Sequence, residues 1–304
     1  MAGIGFVILA SLCWALDGPL RYPLLQSGVS ASRIVFTEHL FLTLLFLPVF
    51  LNQKSHGMLK FKRLRPGEWA SFLAVGAFGS ALATLAFTRA FVYLNPTHVI
   101  LLQKLQPVVA ILLANWFLKE RLDKHFAIWA LVCLSGGLII GHREIIQGVQ
   151  ELFHTGQVVS SLDAYKGIGL ALVAVLGWGG ATVFGKKLSA QGFSATEIMA
   201  GRYLSGLIVL LPLPLSGHME MDARPEVWFK IFCLVLLSGL MGMFLYYQGL
   251  KRLSARLTSL TEMFFPFLAV VVNWILLGAT LDLGQVFGAV VLLVGSMVIQ
   301  KKHY

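Results

Sequence analysis

Residues Asn95 to Lys119, NPTHVILLQKLQPVVAILLANWFLK, recur without a gap 159 residues downstream as Ser254 to Gly278, SARLTSLTEMFFPFLAVVVNWILLG. Pro107 falls on Pro266, Gln103 on Glu262 and Leu101 on Leu260. Each copy is an apolar, helix-length run, interrupted by a proline that withholds a backbone donor and by polar side chains that a lipid-facing helix would not carry. The repetition extends beyond this stretch, so the chain must build from two related halves. At an offset of 164, Gly3-Ile4-Gly5 meets Gly167-Ile168-Gly169, Trp14 meets Trp178, Gly28 meets Gly192, Ser30-Ala31 meets Ser194-Ala195 and Pro48 meets Pro212. At 159, Trp69 meets Trp228, Leu122-Asp123 meets Leu281-Asp282 and Gly136 meets Gly295. The longer basic loop Asn52 to Gly67 absorbs the difference.

The solvent for these halves is lipid. Of the 304 residues 57% are hydrophobic and only 12% charged, and the mean hydropathy is +0.79, values that soluble domains do not show. A bilayer core of ~30 Å takes about 20 apolar residues per helical crossing. Ten runs fit, at 3–24, 31–51, 68–93, 96–118, 123–141, 166–187, 194–215, 226–250, 254–278 and 283–300. Long strands of alternating polarity are absent, which disfavours an outer-membrane barrel. The expected fold is an all-α integral membrane protein with ten transmembrane helices.

Sidedness follows from Lys and Arg in the connections. The side holding both termini collects 15 of the 24 basic residues, the other side six at most, so both termini are expected in the cytoplasm and the chain is a multi-pass protein of the cytoplasmic membrane. The same bias accounts for the net charge of +10, which therefore does not signal nucleic acid. Each copy has five spans, an odd number, so the second enters the membrane from the opposite face: two inverted five-helix repeats, 1–141 and 166–304, joined by an extracytoplasmic linker over 142–165. The run Gly3 to Cys13 lacks a basic n-region and has Leu12 before the cysteine, so it reads as the first span and not as a signal peptide. Cys13, Cys133 and Cys233 lie in apolar runs with no metal spacing, and packing explains them without a disulfide or a metal.

A charged side chain in mid-helix costs roughly 2.5 to 3.5 kcal/mol on insertion scales, so each needs a partner, a wet cavity or a substrate. Asp17, Glu38, His39, Arg89, His98, Lys104, Arg202 and Glu262 are such residues, with Arg21 nearer the surface. Depth counted at about 1.5 Å per residue puts Asp17, Glu38, Arg89, His98 and Lys104 in the outer half and Arg202 and Glu262 in the inner half. Glu38 is the counterpart of Arg202, and Gln103 of Glu262. The expectation is that Arg202 and Glu262 pair or share a ligand near the inner mouth, and that Glu38 and Lys104 do so near the outer one. Gln103, Lys104 and Glu262 precede their prolines and face the carbonyls that a kink sets free. Trp14 and Trp178 stand mid-span, away from the interface where tryptophan anchors a helix, and wall a pocket for an apolar or cationic group or serve packing alone. Glycines at 76, 79, 177, 179 and 180 fit close helix approach.

Glu38-His39 lacks a second histidine at H-E-x-x-H spacing, and neither G-x-S-x-G nor G-x-x-x-x-G-K-[ST] occurs, so no catalytic residue, metal or cofactor is assigned. An intramembrane enzyme is the alternative from another class. Glu38, His39, His98 and Glu262 are candidate proton carriers. The sequence carries no signal for an oligomeric state.

Trp14 and Trp178, Pro107 and Pro266, the L-K-E-R-L-D stretch Leu118 to Asp123, and Gly136 and Gly295 together resemble the drug/metabolite transporter superfamily, specifically its members with two EamA-type repeats. Two departures stand out: Gly278-Ala279-Thr280 replaces Lys119-Glu120-Arg121, so the acidic residue that the family carries at the end of the fourth helix occurs once, at Glu120, and Glu38 stands where the second copy keeps Arg202. The resemblance implies export or exchange of a small polar metabolite through a central cavity lined by the first, third, fourth, sixth, eighth and ninth helices. Trp14, Asp17, Arg89, His98, Gln103, Lys104, Trp178 and Glu262 fall on those helices, and Glu38 and Arg202 complete the expected substrate site. Acidic and basic groups between aromatic walls suit a zwitterion such as an amino acid; an organic cation or nucleoside-like metabolite is the second expectation.

Overall fold

The computed structural model describes residues 2–51, 64–119, 125–140, 142, 146, 162–215, 224–250, 252, 261 and 264–303. Its helices, in chain order, are α1 (Gly3–Gln26), α2 (Ala31–Val49), α3 (Pro66–Tyr93), α4 (Pro96–Phe117), α5 (Phe126–Ile140), α6 (Leu162–Ala190), α7 (Ala195–Pro214), α8 (Pro225–Tyr246), α9 (Phe264–Leu277) and α10 (Leu283–Ile299). Among the described residues seven are long and apolar enough to cross a bilayer, and α5, α9 and α10 are shorter apolar helices. The chain is thus an all-helical, multi-pass membrane protein. Residues 120–124 and most of the linker expected over 142–165 lie outside the described residues. Helix α6 starts at Leu162, earlier than expected, because Asp163 supplies an acidic first turn and bonds Lys166 at 2.8 Å.

Local backbone repeats along with the sequence. Among the described residues four have left-handed φ, and they form two counterpart pairs: Gly28 (+87°) with Gly192 (+88°), and Lys119 (+58°) with Gly278 (+63°). The first pair ends α1 and α6. Each is followed by a serine whose Oγ accepts a backbone N–H three residues on, Ser30 from Arg33 and Ser194 from Glu197, both at 3.2 Å. The second pair ends α4 and α9 in the same conformation, although lysine bears a Cβ and glycine does not. Both α3 and α8 widen into π-helix, over Ala74–Leu82 and Val235–Gly242.

The helices cross between halves. α1 packs on α8 and α9, while its counterpart α6 packs on α3 and α4; α2 lies against α7, and α5 against α10. Small residues allow this. A β-carbon at Gly136 would stand 2.7 Å from the Leu292 Cβ, and one at Gly295 2.8 Å from the Cys133 Sγ. Gly79 abuts Ala181, Gly76 abuts Ser205, Gly177 abuts Ala83 and Gly179 abuts Val109, as the sequence leads one to expect; a β-carbon at Gly180 would meet only Leu113, at 3.8 Å. The three cysteines are free, Cys13 and Cys133 buried and Cys233 half-buried.

Candidate functional site

Proline shapes the fourth helix as expected. α4 runs as α-helix over Pro96–Leu102, tightens to a 3₁₀ turn over Gln103–Leu105, and resumes over Gln106–Leu118 with its proline in the first turn. Asn95 caps its start by accepting the Thr97 N–H at 2.9 Å. The 3₁₀ turn carries Gln103 and Lys104 at the middle of the bundle. Lys104 Nζ lies 4.5 Å from the centroid of the Phe265 ring on α9, a cation–π contact between the halves. Gln103 Oε1 is buried without a hydrogen-bond partner among the described residues. Gln106 Nε2 reaches the Thr182 hydroxyl on α6 at 3.4 Å.

The two tryptophans meet crossed partners. Trp14 on α1 meets Tyr246 of α8 at 5.6 Å with the rings tilted by 49°, and Trp178 on α6 meets Phe87 of α3 at 5.0 Å with a tilt of 58°. Phe87 and Tyr246 are themselves counterparts at the 159 offset, so one arrangement is built twice from exchanged halves. Trp14 also faces Phe265 edge-on at 6.5 Å. Both tryptophans border one apolar cluster that includes Phe87, Phe91, Phe265 and Ala269. The π-helical turns present carbonyls to side chains from other helices. Trp14 Nε1 donates to the Ser238 carbonyl at 3.3 Å and Tyr203 Oη to that of Gly239 at 3.4 Å, while Arg202 Nη2 donates to Gly79, the counterpart of Ser238, at 3.1 Å. Sequence reasoning passed over Phe87 and Phe265, which carry no polar atom to single them out.

The expected pairing of Glu38 with Lys104 is corrected by the structure, which gives Glu38 to Arg21. Arg21 is the hub of a buried cluster. Its Nε and Nη2 donate to Asp17 at 2.6 and 2.8 Å, its Nη1 and Nη2 to Glu38 at 2.8 and 2.9 Å, and its Nη1 also to the Thr88 hydroxyl at 3.0 Å. All five guanidinium donors are used. Arg21, read from the sequence as lying near the surface, is 2% exposed. The i,i+4 spacing of Asp17 and Arg21 was the available signal. In α1 Pro19 denies a donor to the Ala15 carbonyl, and the helix turns at Leu16 just before the cluster.

The other expected site residues disperse. Arg89 is exposed, donates to Ser32 Oγ at 3.3 Å and lines a cleft of about 600 Å³ with Tyr93 and Lys166. A second cleft, of about 400 Å³, is bounded by Tyr22, Tyr93, Asn95 and Thr280, so the α1–α2, α3–α4 and α9–α10 connections gather at one end of the bundle. His98 is buried near that end, in the first turn of α4. Arg202 Nε is buried without a hydrogen bond among the described residues. Glu262, its expected partner, lies outside them.

Apolar helices packed around an aromatic centre, with broken and widened helices on its walls, define a polytopic membrane protein. The EamA-like transporter family matches residues 1–141 and again 165–300, and the chain belongs to that family. It is 30% identical to the riboflavin transporter ImpX of Fusobacterium nucleatum subsp. nucleatum, over 98% of this chain and 97% of that protein. It is 25% identical to protein LicB of Haemophilus influenzae, over 83% and 82% of the two chains. A solved crystal structure superposes with a TM-score of 0.62 over 98% of this chain and 95% of its own, at 16% identity, a likeness of fold. Family and relatives point to a transporter of a small molecule and not to an enzyme.

Proposed function

We propose that this protein is a secondary transporter that moves a small planar heteroaromatic metabolite, riboflavin or a nucleoside-like compound, across the cytoplasmic membrane by alternating access. It does so through ten crossings in two inverted repeats, 1–141 and 166–304, with both termini cytoplasmic. The carrying observation is the pair of crossed aromatic contacts, Trp14 on Tyr246 and Trp178 on Phe87, around Phe265 and Lys104. Flat aromatic walls bind a flat ring through offset stacking. Lys104 and Gln106 offer N–H groups to ring carbonyls, and Gln103 offers a buried acceptor. Riboflavin, for which the Fusobacterium relative is named, has such a ring and a hydroxylated tail.

Inversion is supported by contacts between residues and their own counterparts. His39 meets Tyr203 ring to ring at 6.0 Å, and Cys133 Sγ stands 3.8 Å from the Leu292 carbonyl. Such self-contacts require a two-fold axis between the halves, and an odd number of spans per half turns that axis into the membrane plane. The crossed packing then separates two bodies, α1 with α8 and α9, and α6 with α3 and α4, which can rock about a central site. The end that holds the α3–α4 connection is the extracytoplasmic one in this reading.

An amino acid is the second reading, favoured by Lys104 as a partner for a carboxylate. Its ammonium would need an acid in the cavity; Asp17 and Glu38 are engaged by Arg21, which leaves Glu262. A thermal-shift screen of the purified protein separates the two, because a ligand of the native state raises apparent stability by mass action. Riboflavin is expected to raise the melting temperature while amino acids leave it unchanged; the reverse pattern replaces the first reading with the second.

A further inference from the structure

Resting on the reading as a secondary transporter, the structure also points to what drives it. We propose that the Asp17–Arg21–Glu38 cluster is the proton-coupling site: Glu38 takes up one proton from the extracytoplasmic water, and this uptake unlatches that end of the transporter.

Geometry makes the cluster a latch. Arg21 and Asp17 sit on α1, Glu38 on α2 and Thr88 on α3, so the guanidinium ties the α1 body to the α3 body through Thr88 and to α2 through Glu38. A second bond joins the same bodies nearby, Asn273 Nδ2 of α9 donating to Thr97 Oγ1 of α4 at 3.4 Å. Among the described residues the equivalent place in the second half has no such device. The counterparts of Asp17, Arg21, Glu38 and Thr88 are Ala181, Gly185, Arg202 and Tyr247, so neither an acid nor a second buried guanidinium hub is repeated there. A β-carbon at Gly185 would meet nothing within 4 Å, whereas Arg21 is packed on all sides. Among the described residues the buried ion cluster therefore ties one half and is not repeated at the equivalent place in the other.

Charge makes the latch responsive to protons. Two carboxylates against one guanidinium leave a formal charge of −1, with Asp17, Arg21 and Glu38 at 9%, 2% and 6% exposure. A buried charge of that kind persists in a membrane helix only with a role that retains it. Among the described residues the carboxylates of Asp17 and Glu38 are bonded by Arg21 alone. On α2, Arg33 lies over the Trp228 ring, and the His39 ring bonds the Val35 carbonyl through Nδ1 and Ser80 Oγ through Nε2. On α3, Arg89 turns to Ser32 in the exposed cleft. Arg202 of α7 reaches Gly79, and Lys230 of α8 is half-buried near the α1–α8 contact, while α9 contributes only the neutral Asn273. One proton on Glu38 brings the cluster to zero. Arg21 then donates to a neutral carboxyl in place of a carboxylate, so both of its bonds to Glu38 lose their charge assistance and the α1–α2 tie weakens. Asp17 keeps its grip because its bonds run within α1.

Thiol labelling tests this without any transported ligand. Thr97→Cys, nearly isosteric and placed at the closed contact, is made in a background with the three native cysteines replaced and reconstituted in vesicles. An impermeant maleimide is added on the extracytoplasmic side. Because the thiolate is the form that attacks, each rate is divided by that of a fully exposed single-cysteine control at the same pH; on that scale labelling is expected to accelerate as pH falls, by up to about tenfold per unit, the steepest slope one linked proton allows. Glu38→Gln, which mimics the protonated acid, is expected to label fast at every pH. Should that variant not accumulate, Asp17→Asn, neutral without a proton, is expected to flatten the profile as well. A flat wild-type profile, or a wild-type slope in either variant, overturns the proposal. Failure of riboflavin to bind or move, with pH-linked labelling intact, overturns the substrate reading and leaves the coupling site standing.

Discussion

Cys133 and Leu292 are each other's counterparts in the two halves, and they touch: the thiol sulfur stands 3.8 Å from the leucine carbonyl where α5 crosses α10. Around that point Gly136 receives Leu292 and Gly295 receives Cys133, so the contact is made twice with the roles exchanged. Gly136→Leu is therefore expected to force the two helices apart, at the cost of about 1–3 kcal/mol typical of overpacking. A lower melting temperature of the detergent-solubilised protein, matched by that of Gly295→Leu, checks it. Unchanged melting of either variant contradicts the close crossing.

Arg21 holds two carboxylates away from water. Its replacement by methionine leaves both without a donor, and breaking a buried ion pair from one side typically costs about 3–5 kcal/mol. Arg21→Met is thus expected to accumulate poorly or melt early. The triple variant with Asp17→Asn and Glu38→Gln removes the stranded charges and is expected to recover most of the loss. If Arg21→Met melts like the wild type, the cluster does not hold the helices together.

Trp14 and Trp178 occupy equivalent places on exchanged partners. Replacing either by alanine removes one stacking wall, and an aromatic pair contributes about 0.5–1.5 kcal/mol beyond its area, so affinity for a planar ligand is expected to fall about tenfold in each variant. Titration followed by quenching of ligand fluorescence reads this directly. Equal affinity in the wild type and both variants removes these residues from the site.

The repeat was legible down to its backbone. Gly28 and Gly192 share left-handed φ because an offset that preserves a turn glycine preserves the turn, Lys119 and Gly278 share it although the residue differs, and the proline of α4 announces the 3₁₀ turn at Gln103. Other features were hidden. The π-helical stretches of α3 and α8 have no local signature beyond small residues such as Gly79 and Ser238. Arg21 was placed near the surface because counting residues from a helix end measures depth along an axis and is blind to which helices converge there. Its partnership with Glu38 depends on how α1 leans on α2, a tertiary fact. Phe87 and Phe265 are apolar, and only assembly turns them into walls for the tryptophans.

Lys104 offers the site a cation already lying against the Phe265 face. Lys104→Met keeps the bulk of the chain and removes the charge, so a planar neutral ligand is expected to lose only a few-fold in affinity, the scale of one cation–π contact or hydrogen bond at about 1 kcal/mol. A loss of several orders of magnitude in the same titration would instead mark an anionic ligand and favour a carboxylate-bearing substrate.

The most direct measurement of the account is counterflow. Proteoliposomes loaded with unlabelled riboflavin and diluted into a trace of labelled riboflavin should accumulate label transiently and saturably, with Trp14→Ala and Trp178→Ala each slowing the exchange. Label that enters no faster than in protein-free liposomes, while amino acids exchange, contradicts the account.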